Sequence, residues 1–558
     1  MGVYDNQSLY LALKELSVIE SSKLDLAYKE SVTNKIDFYD ELIDRDLISD
    51  ENLGKVIADL FKVPYANLSK EHIEENVLKI IPEVIARKQR IICFGLEKDG
   101  IKVAADYPVN REIMGFISKK TGEKVKVYFA TKKDIDEAFS LYRKNLQASF
   151  DELLTKEILA ASESKSSELP IARLSDLLIE YAYSNRASDI HIEPEKKTSV
   201  VRFRIDGVLH EVLRFPKNIH DQLVTKIKVS SKLRTDEHLA AQDGKMQLTL
   251  PSEDLDIRVS IVPIVNGEKV VMRLLSSRSR QYRLDDLGMR EPDLKKVRDG
   301  FNKPYGMFLS TGPTGCGKTT TIYTILKILN VRSVNIASIE DPVEYDIEGV
   351  NQIQVNSKTS LTFANGLRAI LRQDPNVIFV GEIRDSETAD IAVNSALTGH
   401  LVLSTLHTND AATTLPRLID MGVEPFLVAS TINVIVGQRL VRKICEKCRK
   451  SQSITATELK KFFPPDLLKK HTKNREARIY AGKGCSVCNM TGYNGRIGIF
   501  EVLAVTDAIR DLITSKADSD KLRDCAIKEG MSTLIEDGLI KVLEGQTTID
   551  EIIRVTKE

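Results

Sequence analysis

Met307-Phe-Leu-Ser-Thr-Gly312-Pro-Thr-Gly-Cys-Gly-Lys318-Thr319 is a short apolar segment that runs directly into a glycine-rich loop. The apolar segment predicts a strand, and the residues that follow the loop have apolar side chains at helical spacing. The loop glycines let the backbone turn its N–H groups toward phosphate oxygens, and the N-terminus of the helix adds positive potential. Strand, loop and helix in this order predict a phosphate-binding loop in a mostly parallel α/β domain.

The phosphate-binding pattern assigns a task to each loop residue. Lys318 is expected to reach the β- and γ-phosphates of a nucleotide, and the Thr319 hydroxyl is expected to hold Mg²⁺. A chance glycine turn is the alternative, and the flanking strand and helix argue against it. The predicted nucleotide-binding residues are Gly312, Pro313, Thr314, Gly315, Cys316, Gly317, Lys318, Thr319 and Thr320.

Three further apolar segments end in polar residues. Asn376–Val380 is followed by Glu382, which fits the carboxylate that a Walker B element places beside Mg²⁺; an exposed loop acid is the alternative. Val334–Ile339 leads into Glu340-Asp-Pro-Val-Glu344, where a carboxylate is placed to orient or deprotonate an attacking water. Leu401–Thr405 leads to His407, a candidate sensor of the γ-phosphate. All four strands are expected to end at the edge of a parallel sheet where ligands bind.

Four of the seven cysteines form two tight pairs, and their spacing is that of a structural zinc site. A thiol redox pair and an iron–sulfur cluster are the alternatives. Zinc is favoured because nothing nearby suggests electron transfer. The other three cysteines are scattered, which is typical of a reducing compartment. The predicted metal ligands are Cys445, Cys448, Cys485 and Cys488.

The length of 558 residues predicts several domains. Residues 1–145 are predicted to form a small α/β module with short amphipathic helices. Residues 146–169 read as a flexible Ser- and charge-rich linker, and residues 170–280 as an antiparallel sheet with helices. Residues 281–558 are the nucleotide-binding domain, with the cysteine insertion at about 440–495 and helices after about 506. The expected fold class is therefore multidomain α/β.

The composition argues against two other classes of protein. The chain has 80 basic and 80 acidic residues and lacks Trp, so we expect no nucleic-acid partner. The N-terminus lacks the pattern of a signal peptide, and no segment approaches the roughly 18 apolar residues of a membrane span. We therefore expect a soluble protein without a transmembrane segment, whose role at a membrane would depend on a partner.

At these motifs the chain resembles the ATPases of type II secretion and of type IV pilus assembly, which are hexameric motors of the secretion superfamily. The resemblance covers roughly residues 170–505, and the first 145 residues match the family's N-terminal module more loosely. The matching segments are ASDIHIEP (187–194), VRFRIDGVLHEV, VSIVPIVNGEKVVMRLL, STGPTGCGKTTT, SIEDPVEY, LRQDPNVIFVGEIRDSETADIA, TGHLVLSTLHTNDA and the tetracysteine insertion.

The resemblance implies a RecA-like ATPase domain, a PAS-like middle domain, and ATP, Mg²⁺ and Zn²⁺ as cofactors. It implies that Glu344 is the catalytic glutamate, Glu382 the Walker B acid and His407 the histidine of the histidine box. It also implies that Arg258 and Arg273 reach the nucleotide when the middle domain closes, a task that suits the always-charged guanidinium. Ion pairs on the surface of two strands are the alternative for these arginines.

The resemblance also implies partners and a place in the cell. It implies a cytoplasmic homo-hexamer that docks on a polytopic platform protein of the inner membrane, works with cytoplasmic pilus or secretion components, and drives extension of a pilus or pseudopilus. A retraction ATPase and a DNA-translocating ATPase are the other functions considered. Some family members bind cyclic di-GMP through a module that starts with Arg-Leu-Gly; Asp40–Ser49 lacks that start, so we expect protein docking instead. The sequence does not distinguish pilus, secretion and competence systems.

Overall fold

The computed structural model divides the chain into two compact units, Met1–Gln281 and Tyr282–Glu558. The predicted linker, residues 146–169, lies outside the described residues, and the domain boundaries expected within the first unit stay predictions. The structure describes residues 6–139, 171–276 and 283–556, apart from gaps at 35–36, 46, 69, 72, 79, 82–84, 87–88, 98–99, 107–110, 251–252, 474–475, 486–487 and 489.

The N-terminal part of the first unit combines helices with a small sheet, as the sequence predicts. The strand order is β1-β2-β3, with β1 and β2 antiparallel and β2 and β3 parallel. One apolar cluster lies among the first helices and another covers the sheet. The elements are α1 Asn6–Leu16, α2 Ser21–Asn34, α3 Phe38–Asp44, α4 Asp50–Phe61, α5 Glu75–Leu78, β1 Ile91–Glu97, β2 Gly100–Ala105, α6 Arg111–Thr121, β3 Val125–Phe129 and α7 Lys132–Phe139.

The rest of the first unit is a six-stranded antiparallel sheet with two helices, which confirms the predicted pattern. The strand order is β6-β5-β4-β9-β8-β7. Buried and exposed residues alternate along β7 and β8, and the buried residues of the sheet form one apolar core with both helices. The elements are α8 Ile171–Ser184, β4 Ala187–Pro194, β5 Thr198–Ile205, β6 Val208–Pro216, α9 Lys217–Ser230, β7 Gln242–Thr249, β8 Asp254–Ile264 and β9 Gly267–Leu275.

The second unit is built on a seven-stranded sheet in the order β12-β11-β13-β14-β10-β15-β18. Six of these strands run parallel and β18 pairs antiparallel with β15, so the prediction of a mostly parallel sheet is confirmed. The strands are β10 Gly306–Thr311, β11 Ile336–Glu340, β12 Val350–Gln354, β13 Val377–Val380, β14 Leu401–Leu406, β15 Ile432–Ile444, β16 Arg449–Ile454, β17 Ala477–Gly482 and β18 Tyr493–Ala504.

Successive side chains of the central strands enter cores on opposite faces of this sheet. Met307 and Leu309 belong to one core, whereas Phe308 between them belongs to the other. Burial on both faces explains why these strands read as continuous apolar runs. The helices are α10 Glu291–Phe301, α11 Lys318–Leu329, α12 Phe363–Ile370, α13 Ser386–Leu397, α14 Ala411–Asp420, α15 Pro425–Thr431, α16 Ala456–Leu459, α17 Pro465–Thr472, α18 Asp507–Thr514, α19 Ser519–Lys528, α20 Leu534–Leu543 and α21 Ile549–Thr556.

The cysteine insertion lies between β15 and β18, the two strands that pair with each other at the edge of the sheet. β16 and β17 form a separate two-stranded antiparallel sheet within it. Because β15 and β18 pair from Val434–Ala504 to Ile444–Tyr493, the two ends of the insertion are held side by side. The fold therefore brings the two cysteine pairs together although 36 residues separate Cys448 from Cys485.

Glu501 on β18 joins two helices of this unit through a buried carboxylate. Its Oε1 accepts a hydrogen bond from Ala411 N at 2.6 Å, and its Oε2 accepts one from Leu534 N at 3.4 Å. These are the first residues of α14 and α20, where backbone N–H groups lack partners within the helix. Burial, together with the nearby carboxylate of Asp410, raises the pKa of Glu501 to about 7.

This raised pKa predicts a pH-dependent stability. In the unfolded chain the pKa of a glutamate is about 4.3, so the favourable contribution of Glu501 is complete below that pH and is lost as the pH rises through 7. In Glu501→Gln the neutral amide removes this dependence. The unfolding free energy of wild type should therefore fall by up to about 3 kcal/mol relative to Glu501→Gln between pH 4.5 and 8.

Chemical denaturation at several pH values, followed by probes in the second unit, measures this difference. Glu544→Gln, which changes an exposed glutamate of the same unit, is the control and should show no comparable trend. A constant difference between wild type and Glu501→Gln across this range would contradict the prediction.

Candidate active site and metal centre

The backbone of the loop between β10 and α11 adopts conformations that require glycine. Gly315 and Gly317 have φ values of 78° and 97°, in the left-handed region that favours glycine. A Cβ atom at Gly312 would lie 2.5 Å from the carbonyl oxygen of Gln438, so the close approach of β15 also excludes a side chain there. Gly317 is the N-cap of α11, and the loop therefore ends at a helix N-terminus, where anions bind.

Lys318 is the first residue of α11 and folds back over the loop. Its Nζ donates hydrogen bonds to Gly312 O at 2.7 Å and to Pro313 O at 3.1 Å. Burial lowers the pKa of Lys318, although the Glu382 carboxylate opposes this shift. Thr319 and Thr320 follow in the first turn of the helix. The predicted nucleotide-binding residues thus form one continuous loop and helix N-terminus.

Glu382 and His407 follow β13 and β14, and the structure places them together. Glu382 Oε2 lies 3.4 Å from His407 Nε2 and 2.7 Å from Arg384 Nε. Burial lowers the pKa of His407, and the positive charge of Lys318 acts in the same direction. The predicted convergence of polar residues at the carboxyl edge of the sheet is therefore seen for Lys318, Glu382 and His407.

The two glutamates of the acidic segment after β11 lie in different environments. Glu340 is 2 % exposed, and its carboxylate accepts hydrogen bonds from Ser338 Oγ at 2.6 Å, from Gln352 Nε2 at 3.1 Å and from the Tyr323 hydroxyl. Burial raises the pKa of Glu340. Glu344 is only half-buried, and its backbone N donates to Tyr323 Oη at 3.2 Å. Glu340 is thus enclosed by protein donors, whereas the more accessible acid is Glu344.

Two residues of β15 contact the site and were not predicted from the sequence. Gln438 is buried, donates to Cys316 O at 2.9 Å and accepts from Thr321 Oγ1 at 2.9 Å. Arg439 donates to Asn409 O at 2.7 Å, two residues beyond His407. Together they tie the phosphate loop to the segment after β14. A polar Gln-Arg pair inside the apolar run of β15 was the signal that would have identified them.

The two predicted arginines lie in the first unit, on adjacent strands. Arg258 on β8 pairs directly with Arg273 on β9, and the same row continues to Lys245 on β7 and to Asp189 on β4. Arg273 Nε donates to Asp189 Oδ1 at 3.0 Å, yet 59 % of the Arg273 side chain is exposed. Like charges in directly opposite positions repel each other, and Asp189 supplies a counter-charge to Arg273 in the same row.

The four predicted cysteine ligands converge. Their Sγ atoms all lie within 4.8 Å of one another. Three of the separations are 3.8 Å for Cys445–Cys485, 3.8 Å for Cys448–Cys488 and 3.7 Å for Cys485–Cys488. A tetrahedral site with Zn–S bonds of about 2.3 Å has S···S edges of about 3.8 Å. The donor set and its spacing therefore fit a tetrahedral zinc ion.

Backbone N–H groups and glycines shape the cysteine cluster. Cys488 Sγ accepts from Cys485 N at 3.2 Å and from Gly492 N at 3.3 Å, which would stabilise a thiolate. A Cβ atom on Gly482 would lie 2.0 Å from Gly492 O, so the close approach of the end of β17 to the residue before β18 requires a glycine at position 482.

Most residues of the chain match the models of known protein families. Residues 164–554 match the model of the type II/IV secretion system protein family. The chain belongs to that family. Residues 61–148 match the MshEN domain. Within the described residues no helix is both long enough and apolar enough to cross a bilayer.

Individual relatives match long parts of this family member. It is 36 % identical over 552 residues to the type IV pilus assembly ATPase PilB of Myxococcus xanthus, covering 96 % of each chain. It is 45 % identical over 419 residues to the type II secretion system protein E of Pseudomonas aeruginosa, covering 74 % of this chain and 80 % of that one. The family resemblance drawn from the motifs is therefore confirmed.

A solved structure supports the fold of this family member. The ATPase DotB of Legionella pneumophila superposes with a TM-score of 0.50 at 20 % identity, covering 70 % of this chain and 97 % of that one. At this identity the likeness concerns the fold alone, and it agrees with a multidomain α/β protein that contains an ATPase fold.

Proposed function

We propose that this chain is the ATPase motor that drives assembly of a type IV pilus or of a type II secretion pseudopilus. The chain is an ATPase of the secretion family. The observation that supports the motor activity most directly is the convergence of Lys318, Glu382 and His407 at the carboxyl ends of adjacent parallel strands. The relatives named above are a pilus assembly ATPase and a type II secretion protein.

The proposed nucleotide site uses the loop from Gly312 to Thr320. Its N–H groups and the N-terminus of α11 bind the phosphates of ATP, and Lys318 neutralises their β and γ oxygens. Thr319 and Glu382 would hold Mg²⁺, which supplies charge neutralisation during phosphoryl transfer. His407 contacts Glu382 at 3.4 Å and is placed to respond to the γ-phosphate through that acid.

Glu344 is the proposed general base. Glu340 is enclosed by three donors and has a raised pKa, so it serves the fold of this segment better than it serves proton transfer at neutral pH. The carboxylate of Glu344 would accept a proton from the attacking water as it approaches the γ-phosphate.

Arg258 and Arg273 are proposed to stabilise the charge that develops on the γ-phosphate. The transverse row in which they lie places two guanidinium groups side by side on one face of the antiparallel sheet. An arginine remains charged at any working pH and spreads its charge over several donors. The proposed power stroke is the closure of this middle domain, which the resemblance suggests is PAS-like, onto the bound nucleotide.

The proposed assembly is a homo-hexamer at the cytoplasmic face of the inner membrane, docked on a polytopic platform protein. We propose the domain division 1–145, 146–169, 170–280 and 281–558, with the RecA-like ATPase domain last. The N-terminal module is proposed to dock on protein partners, and a role in cyclic di-GMP binding is not part of the proposal, because Asp40–Ser49 lacks the Arg-Leu-Gly start. No nucleic-acid partner is proposed.

Two substitutions separate nucleotide binding from hydrolysis. Lys318→Ala should abolish both, because the phosphates lose their cation. Glu344→Gln should leave ATP binding intact and lower kcat by roughly 10² or more, because the general base is lost. Steady-state ATPase assays and a nucleotide-binding titration on the assembled protein measure both quantities.

Glu348→Gln is the control for Glu344→Gln, because Glu348 is an exposed acid of the same loop. It should keep wild-type turnover. Normal hydrolysis by Lys318→Ala, or joint loss of binding and turnover in Glu344→Gln, would contradict the assigned roles.

The arginine proposal predicts a turnover defect without a binding defect. Arg273→Ala should reduce hydrolysis by roughly 10³ or more while ATP affinity changes little, because its charge acts on the transition state. Arg214→Ala is the control, since Arg214 lies in the same sheet and forms surface ion pairs with Glu195 and Glu211. Such pairs are worth about 1 kcal/mol or less. If the Arg273→Ala protein assembled and hydrolysed ATP normally, Arg273 would have only the role of an ordinary surface ion pair, and the proposal would be wrong.

The cysteine cluster is proposed to hold one structural zinc ion. We expect elemental analysis to find about one zinc per chain, and we expect Cys485→Ser to lose it, because a structural site needs four protein ligands. Cys525→Ser is the control, because this cysteine lies outside the cluster. Iron with visible absorbance, or a folded protein without metal, would be incompatible with the proposal.

A further inference from the structure

Tyr323 lies on the helix that begins at the phosphate-loop lysine, and its hydroxyl reaches the acidic segment after β11. The residue is 1 % exposed. Its ring packs edge-on against Tyr345, with ring centroids 4.7 Å apart, and against Phe379, with centroids 6.0 Å apart. A phenylalanine would make the same ring contacts, so packing does not explain the buried hydroxyl, which is costly to bury without partners.

The hydroxyl oxygen has a defined set of partners. It donates to Glu340 Oε2 and accepts from Glu344 N at 3.2 Å and from Gln352 Nε2 at 3.3 Å. Burial raises the pKa of Tyr323, so the proton that it donates to Glu340 is retained at working pH. One oxygen atom thus connects the phosphate-loop helix to the end of β11 and to the backbone of Glu344.

The rest of the segment between β11 and β12 is held from its other end. Gln352 on β12 accepts from Ile347 N at 2.7 Å and donates to Tyr345 O at 3.2 Å. These bonds fix the segment relative to β12, whereas the Tyr323 hydroxyl fixes it relative to the helix that carries Lys318. The link to the helix that carries Lys318, and not the link to β12, sets the distance between Glu344 and the phosphates bound at the loop.

We propose that Tyr323 is a positioning residue for ATP hydrolysis, whose hydroxyl holds the backbone of Glu344 in register with the phosphate-loop helix. The inference rests on the proposed role of Glu344 as the general base. A base must be held within about 0.5 Å of its productive position, and a segment that moves independently of the phosphates would satisfy this condition less often. Tyr323 itself does not contact the reacting atoms.

Tyr323→Phe tests the proposal because it removes one oxygen and keeps the ring. We expect kcat to fall about tenfold, while KM for ATP and the affinity for nucleotide stay unchanged, as expected for loss of a single hydrogen bond that acts after binding. Ser338→Ala is the matched control: it also removes a buried hydroxyl that donates to Glu340, but Ser338 Oγ bonds Glu340 and not Glu344. Its kcat should stay at the wild-type value.

A double-mutant cycle shows whether Tyr323 acts through Glu344. In the Glu344→Gln background the base is already missing, so adding Tyr323→Phe should lower single-turnover hydrolysis no further. Full activity of Tyr323→Phe, an equal loss in Ser338→Ala, or independent effects in the cycle would each overturn the proposal. Failure of the proposed function has a different signature, namely a wild-type protein that does not hydrolyse ATP.

A second background covers the case in which Tyr323→Phe does not fold. Glu340→Gln removes the buried carboxylate that needs the tyrosine proton, so Tyr323→Phe can be compared with Glu340→Gln alone. In this pair Glu344 N still loses its acceptor, and the same fall in kcat is expected. Equal turnover of the single and double variants would overturn the proposal.

Discussion

The register between β10 and its two neighbours is the constraint on which the rest of the ATPase unit depends. Thr311, the last residue of β10, pairs with Leu406 of β14 on one side and with Gly437 of β15 on the other. This alignment brings the phosphate loop beside His407 and beside Gln438. A shift by one residue would turn every side chain of a strand to the opposite face and would separate these groups. The buried apolar residues on both faces of β10 resist that shift.

Much of this site could be read from the sequence because its signals are local. An apolar strand followed by a glycine loop has a defined meaning within a dozen residues, and so does a strand that ends in Glu382 or His407. Parallel strands end at one edge, which brings their terminal residues together without knowledge of the strand order. The cysteine pairs were also readable, because the spacing within each pair already fits a metal site.

The parts that could not be predicted depend on contacts between distant segments. Gln438 and Arg439 lie more than 100 residues after the loop that they hold, and no local pattern states that β15 pairs with β10. The different environments of Glu340 and Glu344 are equally invisible in the sequence, because Tyr323 and Gln352 decide which acid is enclosed. The direct pairing of Arg258 with Arg273 depends on the register between β8 and β9. The alternation of apolar and polar residues in the sequence indicates two strands but does not determine that register.

β15 contains Gln438, which donates a hydrogen bond to the phosphate loop, and it ends directly before Cys445 of the metal cluster. Cys445 follows Gln438 by seven residues, which is a span of about 23 Å in extended backbone. The strand is paired with β18 along this stretch, with one irregularity between Arg442 and Ile444, so the pairing holds the two centres at a defined separation. Because an extended chain cannot lengthen, a displacement of the cysteine cluster along the strand axis would be passed on toward the nucleotide loop. Gaining or losing one residue in this stretch would therefore set the two centres at the wrong distance and turn the side chains beyond it to the opposite face.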